Sequence, residues 1–122
     1  MENKQTKYDL EERTAKFGET VIHFCKNIKL NTINTPLVKQ LIRSGTSIGA
    51  NYMEANGASS KRDFRNKIFI CKKEAQETKH WLRMISAADQ SLTKDAKELW
   101  KEAQELTLIF NKITETIDKD KK

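Results

Sequence analysis

The chain has 122 residues, 37% hydrophobic and 33% charged, with a net charge of +6. That length fits one domain, which can bury roughly two-thirds of the surface its unfolded form exposes, so no disulfide or metal is required to hold it together. One proline and four glycines are too few to punctuate an all-β fold, and no stretch approaches the roughly 20 apolar residues of a membrane span.

In chain order, the first predicted element covers about residues 9–28. Leu10, Phe17, Val21, Phe24 and Ile28 recur at helical spacings and share one face. Met1 to Tyr8 is polar and carries no apolar run, so no secretory leader is expected and a cytoplasmic location follows. Lys29 to Asn34 reads as a polar connection.

The second element covers about residues 36–56. Thr35 is a suitable N-cap and Pro36 suits the first helical position, where a missing N–H is harmless. Gly57 is a natural stop. Gly45 and Gly49 each weaken a helix by about 1 kcal/mol relative to alanine. Leu37, Leu41, Ser44, Ile48 and Ala55 nevertheless keep one register across them, so a continuous helix is expected. Spaced four apart, the two glycines would let another helix approach closely.

The third element covers about residues 61–88. It follows Ser59-Ser60 and places Asp63 in its first turn, where the helix dipole favours an acid. Phe64, Ile68, Cys71, Ala75, Thr78, Leu82 and Ile85 form its core stripe. The fourth covers about residues 94–118, with Thr93 as cap and Asp95 in its first turn. Ala96, Leu99, Ala103, Leu106, Phe110, Ile113 and Ile117 give it a nearly unbroken apolar seam. The charged tail from Asp118 to Lys122 is expected to fray. Four helices of similar length with short links define an all-α, antiparallel up-down-up-down four-helix bundle.

Apolar residues exceed what one stripe per helix requires. The second helix carries Val38, Ile42, Gly45, Gly49 and Met53 on another face, and the third carries Ile70, Trp81 and Met84. A stripe the core does not need must meet solvent or a partner, and a second copy of the chain is the economical partner. These eight positions are the candidate oligomer interface.

Polar residues also recur at helical spacing. Gln40, Arg43, Ser47, Asn51 and Glu54 share one side of the second helix, while Glu74 and Glu77 flank the core of the third. Arg43 paired with Glu74 or Glu77 would fix the register of the two helices. Catalytic and metal constellations are absent. Glu77-Thr-Lys-His80 has the Glu-x-x-His spacing of di-iron bundles, but that chemistry requires a second such motif and further glutamates. Cys25 and Cys71 sit in apolar stretches without a readable base and read as reduced core thiols. Gly45 to Gly49 is not a phosphate loop, because no Gly-Lys-Ser/Thr follows. The expectation is a protein without enzymatic activity, metal or cofactor.

The basic residues gather on the third helix as Lys61, Arg62, Arg65, Lys67, Lys72, Lys73 and Lys79. Such a cluster can neutralise phosphates and release their counterions, the sequence-independent route to RNA or DNA. Aromatic interleaving for single-strand stacking is sparse by sequence alone.

Two strings are family-specific. One is Arg43-Ser44-Gly45-Thr46-Ser47-Ile48-Gly49-Ala50-Asn51 with Glu54-Ala55. The other combines Asp63-Phe64, Lys67, Ile70, Lys73-Glu74, Glu77-Thr78 and Trp81-Leu82. Over about residues 36–85 the chain resembles the bacterial four-helix-bundle proteins encoded in intervening sequences of 23S ribosomal RNA. The resemblance implies a homopentamer, as in the related accessory protein of diversity-generating retroelements, which is basic and binds nucleic acid. It implies no catalytic residues and marks Arg43, Ser47, Asn51, Glu54, Glu74 and Glu77 as signature positions with a structural role. The function expected is an oligomeric bundle that binds nucleic acid. The alternative is a scaffold that docks another protein.

Overall fold

The computed structural model describes residues 9–120. Among them are four α-helices: α1 (Leu10–Lys26), α2 (Asn34–Asn56), α3 (Lys61–Ala88) and α4 (Thr93–Asp120), with a 3-10 turn over Gln90–Leu92 before α4. No strand occurs among the described residues. Met1 to Tyr8, read above as polar and leaderless, lies outside them, as do Lys121 and Lys122. Each helix packs mainly on the next in sequence, and α1 meets α4 only sparsely. The result is the four-helix bundle that the periodicity predicts, with the α1–α4 seam as its open side.

The core stripes lie where the 3.6-residue period puts them. Leu41, Ile48, Ile68, Leu82, Ile85, Leu106 and Phe110 are almost wholly buried. Each contributes about 1.5–3 kcal/mol relative to an exposed side chain. Phe24, Leu37, Phe64 and Ile113 are only half-buried against this cluster. Tyr52 meets Phe110 with ring centroids 6.4 Å apart.

The helix ends differ from expectation at two N-caps and two C-termini. Thr35 does not cap α2. The helix begins at Asn34, and Asn31 Oδ1 accepts from the N–H groups of Ile33 and Asn34 at 2.9 and 2.8 Å. Asn34 returns the bond by accepting from Asn31 N at 2.8 Å, and its amide donates to the Lys29 carbonyl. Two asparagines therefore cap this end reciprocally, and the Thr35 hydroxyl donates to the Asn31 carbonyl at 2.6 Å. Pro36 falls third in the helix, still within the turn whose N–H groups lack intrahelical acceptors. Thr93 likewise is helical rather than a cap, and its hydroxyl accepts from Ser86 at 2.9 Å. Asp9 and Ser60 cap α1 and α3 by accepting from Glu12 N and Asp63 N. α1 ends at Lys26, two residues short of Ile28, although Ile28 stays buried. α4 runs on to Asp120, so residues 118–120 are helical where fraying was expected.

α2 is continuous through both glycines, for a reason inside the bundle. A Cβ on Gly45 would lie 3.0 Å from Val21 Cγ2, and one on Gly49 would lie 3.4 Å from the Thr14 backbone. Gly18 of α1 faces Thr46 at 3.6 Å in the same way. α1 thus lies close along α2, and Thr14 folds its hydroxyl back onto the Leu10 carbonyl at 2.6 Å.

This corrects part of the proposed oligomer stripe. Val38 is 6% exposed, and Gly45 and Gly49 are covered by α1, so these three are consumed within the chain. Trp81 packs against the chain's own core. Ile42 and Met53 remain exposed, and Ile70 and Met84 are half-buried.

Candidate nucleic-acid interface

The α2–α3 edge is a polar network centred on Arg43. Its guanidinium donates to Glu74 at 3.1 Å, to Glu77, and to Gln40 at 3.0 Å. Trp81 Nε1 donates to the same Glu77 carboxylate at 3.2 Å. Further along the edge, Ser47 donates to the Arg43 carbonyl, Asn51 donates to the Ser47 carbonyl, and Lys67 pairs with Glu54 at 2.9 Å. All six signature positions therefore meet along one seam between antiparallel helices. Their chemistry is mutual satisfaction, with Glu74 and Glu77 already committed to a cation.

The α3–α4 edge follows a different rule. Arg65 donates to Asp118 at 2.7 and 2.9 Å, Lys72 to Asn111 at 3.1 Å, and Lys79 to Gln104. Both sets of residues step by seven, in opposite directions. Residues seven apart return to the same side of a helix, so this is one ladder of cations leaning across the seam. Lys72 also sits 5.5 Å from the Phe69 ring centroid, and Lys79 sits 5.1 Å from that of Trp100.

Between the two edges lies the outer face of α3. Its exposed positions include Lys61, Arg62, Asn66, Phe69, Lys73, Gln76, His80 and Arg83, with no Asp or Glu among the exposed positions of the helix. α3 holds eight cations and three carboxylates, and packing sorts them unevenly. Glu74 and Glu77 turn to α2, while Asp63 is half-buried in the first turn. Of the seven cations singled out by sequence, six belong to this face or to the ladder beside it. Lys67 is tied to Glu54 on the opposite edge. Two aromatics belong here that periodicity did not single out: Phe69 is 49% exposed and Trp100 is 39% exposed. Their signal was an aromatic off the core stripe, seven or fewer residues from a lysine.

Both cysteines are enclosed in the core. Burial pushes the Cys25 thiol up to about 11 and the Cys71 thiol up to about 12. A protonated, enclosed thiol is a poor nucleophile. His80 stands edge-on to Trp81, with centroids 4.9 Å apart, and Glu77 is engaged by Arg43 and Trp81. Among the described residues no group of three or more His, Cys, Asp or Glu could hold a metal ion. None of the helices there is long and apolar enough to cross a membrane.

Fold and surface together define an antiparallel four-helix bundle with a mutually hydrogen-bonded polar signature along one seam and a carboxylate-free basic face beside it. The chain belongs to the family of 23S rRNA-intervening sequence proteins, whose family model matches residues 6–112. The match extends well beyond the central segment that carries the motifs. A solved structure from Bacteroides thetaiotaomicron, a protein of unknown function from the S23 ribosomal protein family, is 30% identical with a TM-score of 0.76. That likeness covers 85% of this chain and 96% of the other. No curated protein matches significantly.

Proposed function

We propose that this chain is a non-enzymatic, oligomeric bundle that binds RNA or DNA through the outer face of α3. The observation that carries this reading is the sorting of charge: exposed α3 positions offer cations and an aromatic ring, with no carboxylate to compete for them. Lys61, Arg62 and Lys73 are exposed, while Arg65, Lys72 and Lys79 lean on α4 at its margin. Of that margin, only the Asp118 contact neutralises a charge, because Asn111 and Gln104 are uncharged. Self-association is part of the same proposal. Ile42 and Met53 leave apolar surface on α2, and a pentamer, as the family resemblance implies, would repeat the basic face and bind multivalently.

The test is a salt titration of binding to structured RNA, single strands and duplex DNA. Affinity should fall steeply with salt, and Arg62→Gln with Lys73→Gln should flatten the slope by roughly 0.7–0.9 for each phosphate that the variant no longer neutralises. No binding at low salt, or affinity indifferent to salt, would refute it. Light scattering should return a mass well above the 14.1 kDa of one chain.

A second reading, docking of another protein, draws on Leu30 and Ile33. They are 56% and 68% exposed at the α1–α2 turn. It requires a partner that persists in pull-downs after nuclease treatment and is absent with a Leu30→Ser, Ile33→Ser chain.

A further inference from the structure

The geometry points to a pocket for one unstacked nucleobase of a single-stranded nucleic acid, between the last turns of α3 and the first turns of α4. This rests on the reading of the chain as a nucleic-acid binder and adds to it which form of nucleic acid is recognised and where.

The cavity has a volume of about 410 Å³ and is lined by Leu82, Arg83, Ser86, Ala96, Lys97, Trp100 and Lys101. That lies within the range of about 300–1,000 Å³ common to small-ligand sites. Leu82 and Ala96 are 1% and 3% exposed and belong to the bundle core. Trp100 supplies a flat aromatic wall. Ser86 donates its proton to Thr93 at 2.9 Å, so its oxygen retains lone pairs to accept from a ligand.

The charges select the occupant. Arg83, Lys97 and Lys101 line the pocket, and no carboxylate does. Lys101 lies 3.8 Å from Glu98, but both are about 70% exposed, so water screens that pair and a phosphate can displace it. Lys79, 5.1 Å from the Trp100 ring centroid, adds a fourth cation beside the indole. One aromatic plane ringed by cations matches the two parts of a nucleotide, a π-faced base and an anionic phosphate. A fatty chain would need a longer apolar groove, and an acidic peptide would leave the indole unused. A base inside a duplex stays stacked on its neighbours and cannot reach such a pocket. The selectivity is therefore for unpaired strands, whereas the α3 face beside it serves phosphates of either form.

The chain has two tryptophans. Trp81→Phe leaves Trp100 as the sole indole, while Trp81 itself lies at the α2 edge. The probe is an oligothymidylate of about 12 nucleotides, within the usual site sizes for single strands. An abasic strand and a duplex of equal phosphate number serve as controls. Trp100 emission should quench with the thymidylate strand and not with either control. Trp100→Leu should weaken the single strand about ten-fold and weaken duplex and abasic binding far less. If the strand binds by anisotropy but Trp100 emission does not move, the pocket is refuted and the basic face stands. If no nucleic acid binds, both fall. Should Trp100→Leu fail to fold by circular dichroism, the quenching result decides alone.

Discussion

Thr78 Oγ1 donates to Ser44 Oγ at 2.9 Å across the α2–α3 seam, and both residues are fully buried. The same hydroxyl is 2.8 Å from the Glu74 carbonyl, whereas Ser44 has only the Leu41 carbonyl besides, at 3.5 Å. The pair is therefore asymmetric. Thr78→Val strands Ser44 and should destabilise the fold by about 1–3 kcal/mol. Ser44→Ala leaves Thr78 its carbonyl and should cost less. In urea unfolding, the double variant should cost less than the sum of the two singles. Strict additivity would show that the contact contributes nothing.

Two glycines one turn apart should respond to alanine with opposite signs. At Gly45 the new methyl would sit 3.0–3.3 Å from three atoms of Val21, which is wholly buried and β-branched, so it cannot rotate away. Overpacking of about 1–3 kcal/mol exceeds the helix-propensity gain of about 1 kcal/mol, and Gly45→Ala should lower the melting temperature. At Gly49 the nearest atoms are 3.4 Å away, an ordinary contact. Gly49→Ala should keep most of that gain and raise it.

Both thiols should be silent toward an aromatic disulfide reagent at pH 8 and react, two per chain, only after unfolding. Burial raises Cys25 from 9.0 to about 11 and Cys71 from 9.0 to about 12. The unfolded chain therefore loses these protons first. The stabilisation is complete below about pH 9 and disappears as pH climbs through 11 to 12. A Cys25→Ala, Cys71→Ala chain should show a shallower alkaline loss of stability than the parent. Equal slopes would place the thiols in water.

Charge release should depend on which edge is cut. Asp118→Asn removes the carboxylate that engages Arg65 and should strengthen duplex binding and steepen its salt slope. Glu54→Gln frees Lys67 on the opposite edge and should do neither. Parallel salt titrations of the two variants make the comparison, and equal responses would mean that binding is not confined to the α3–α4 side.

The core was legible because it depends on local period. Ile68, Cys71, Ala75, Thr78, Leu82 and Ile85 form a stripe that any helix over those residues must present. The Arg43 pairing was legible for a similar reason, since Glu74 and Glu77 flank the facing stripe. The second face of α2 was legible only as a surplus. Nothing near Val38, Gly45 or Gly49 in sequence says that Thr14, Gly18 and Val21 lie against α2, since that depends on how α1 docks. The Thr35 cap failed because Asn31, four residues upstream, accepts from Ile33 N and Asn34 N and so starts the helix before Thr35. The basic cluster was visible as composition, but its division was not. Asp118, Asn111 and Gln104 lie 25 to 53 residues from the cations they meet.

The sparse α1–α4 seam has a kinetic meaning. Every extensive interface joins helices adjacent in the chain, so the bundle can assemble by successive short hairpin closures, the regime of rapid folding. The same economy makes α1 the least anchored helix. It rests on α2 and is held to α4 by few contacts, chief among them the Arg13 pairing with Glu102 and Glu105. Amide protons of α1 should exchange ahead of those in α3, through a partial opening that leaves the other three helices, and the basic face they carry, in place.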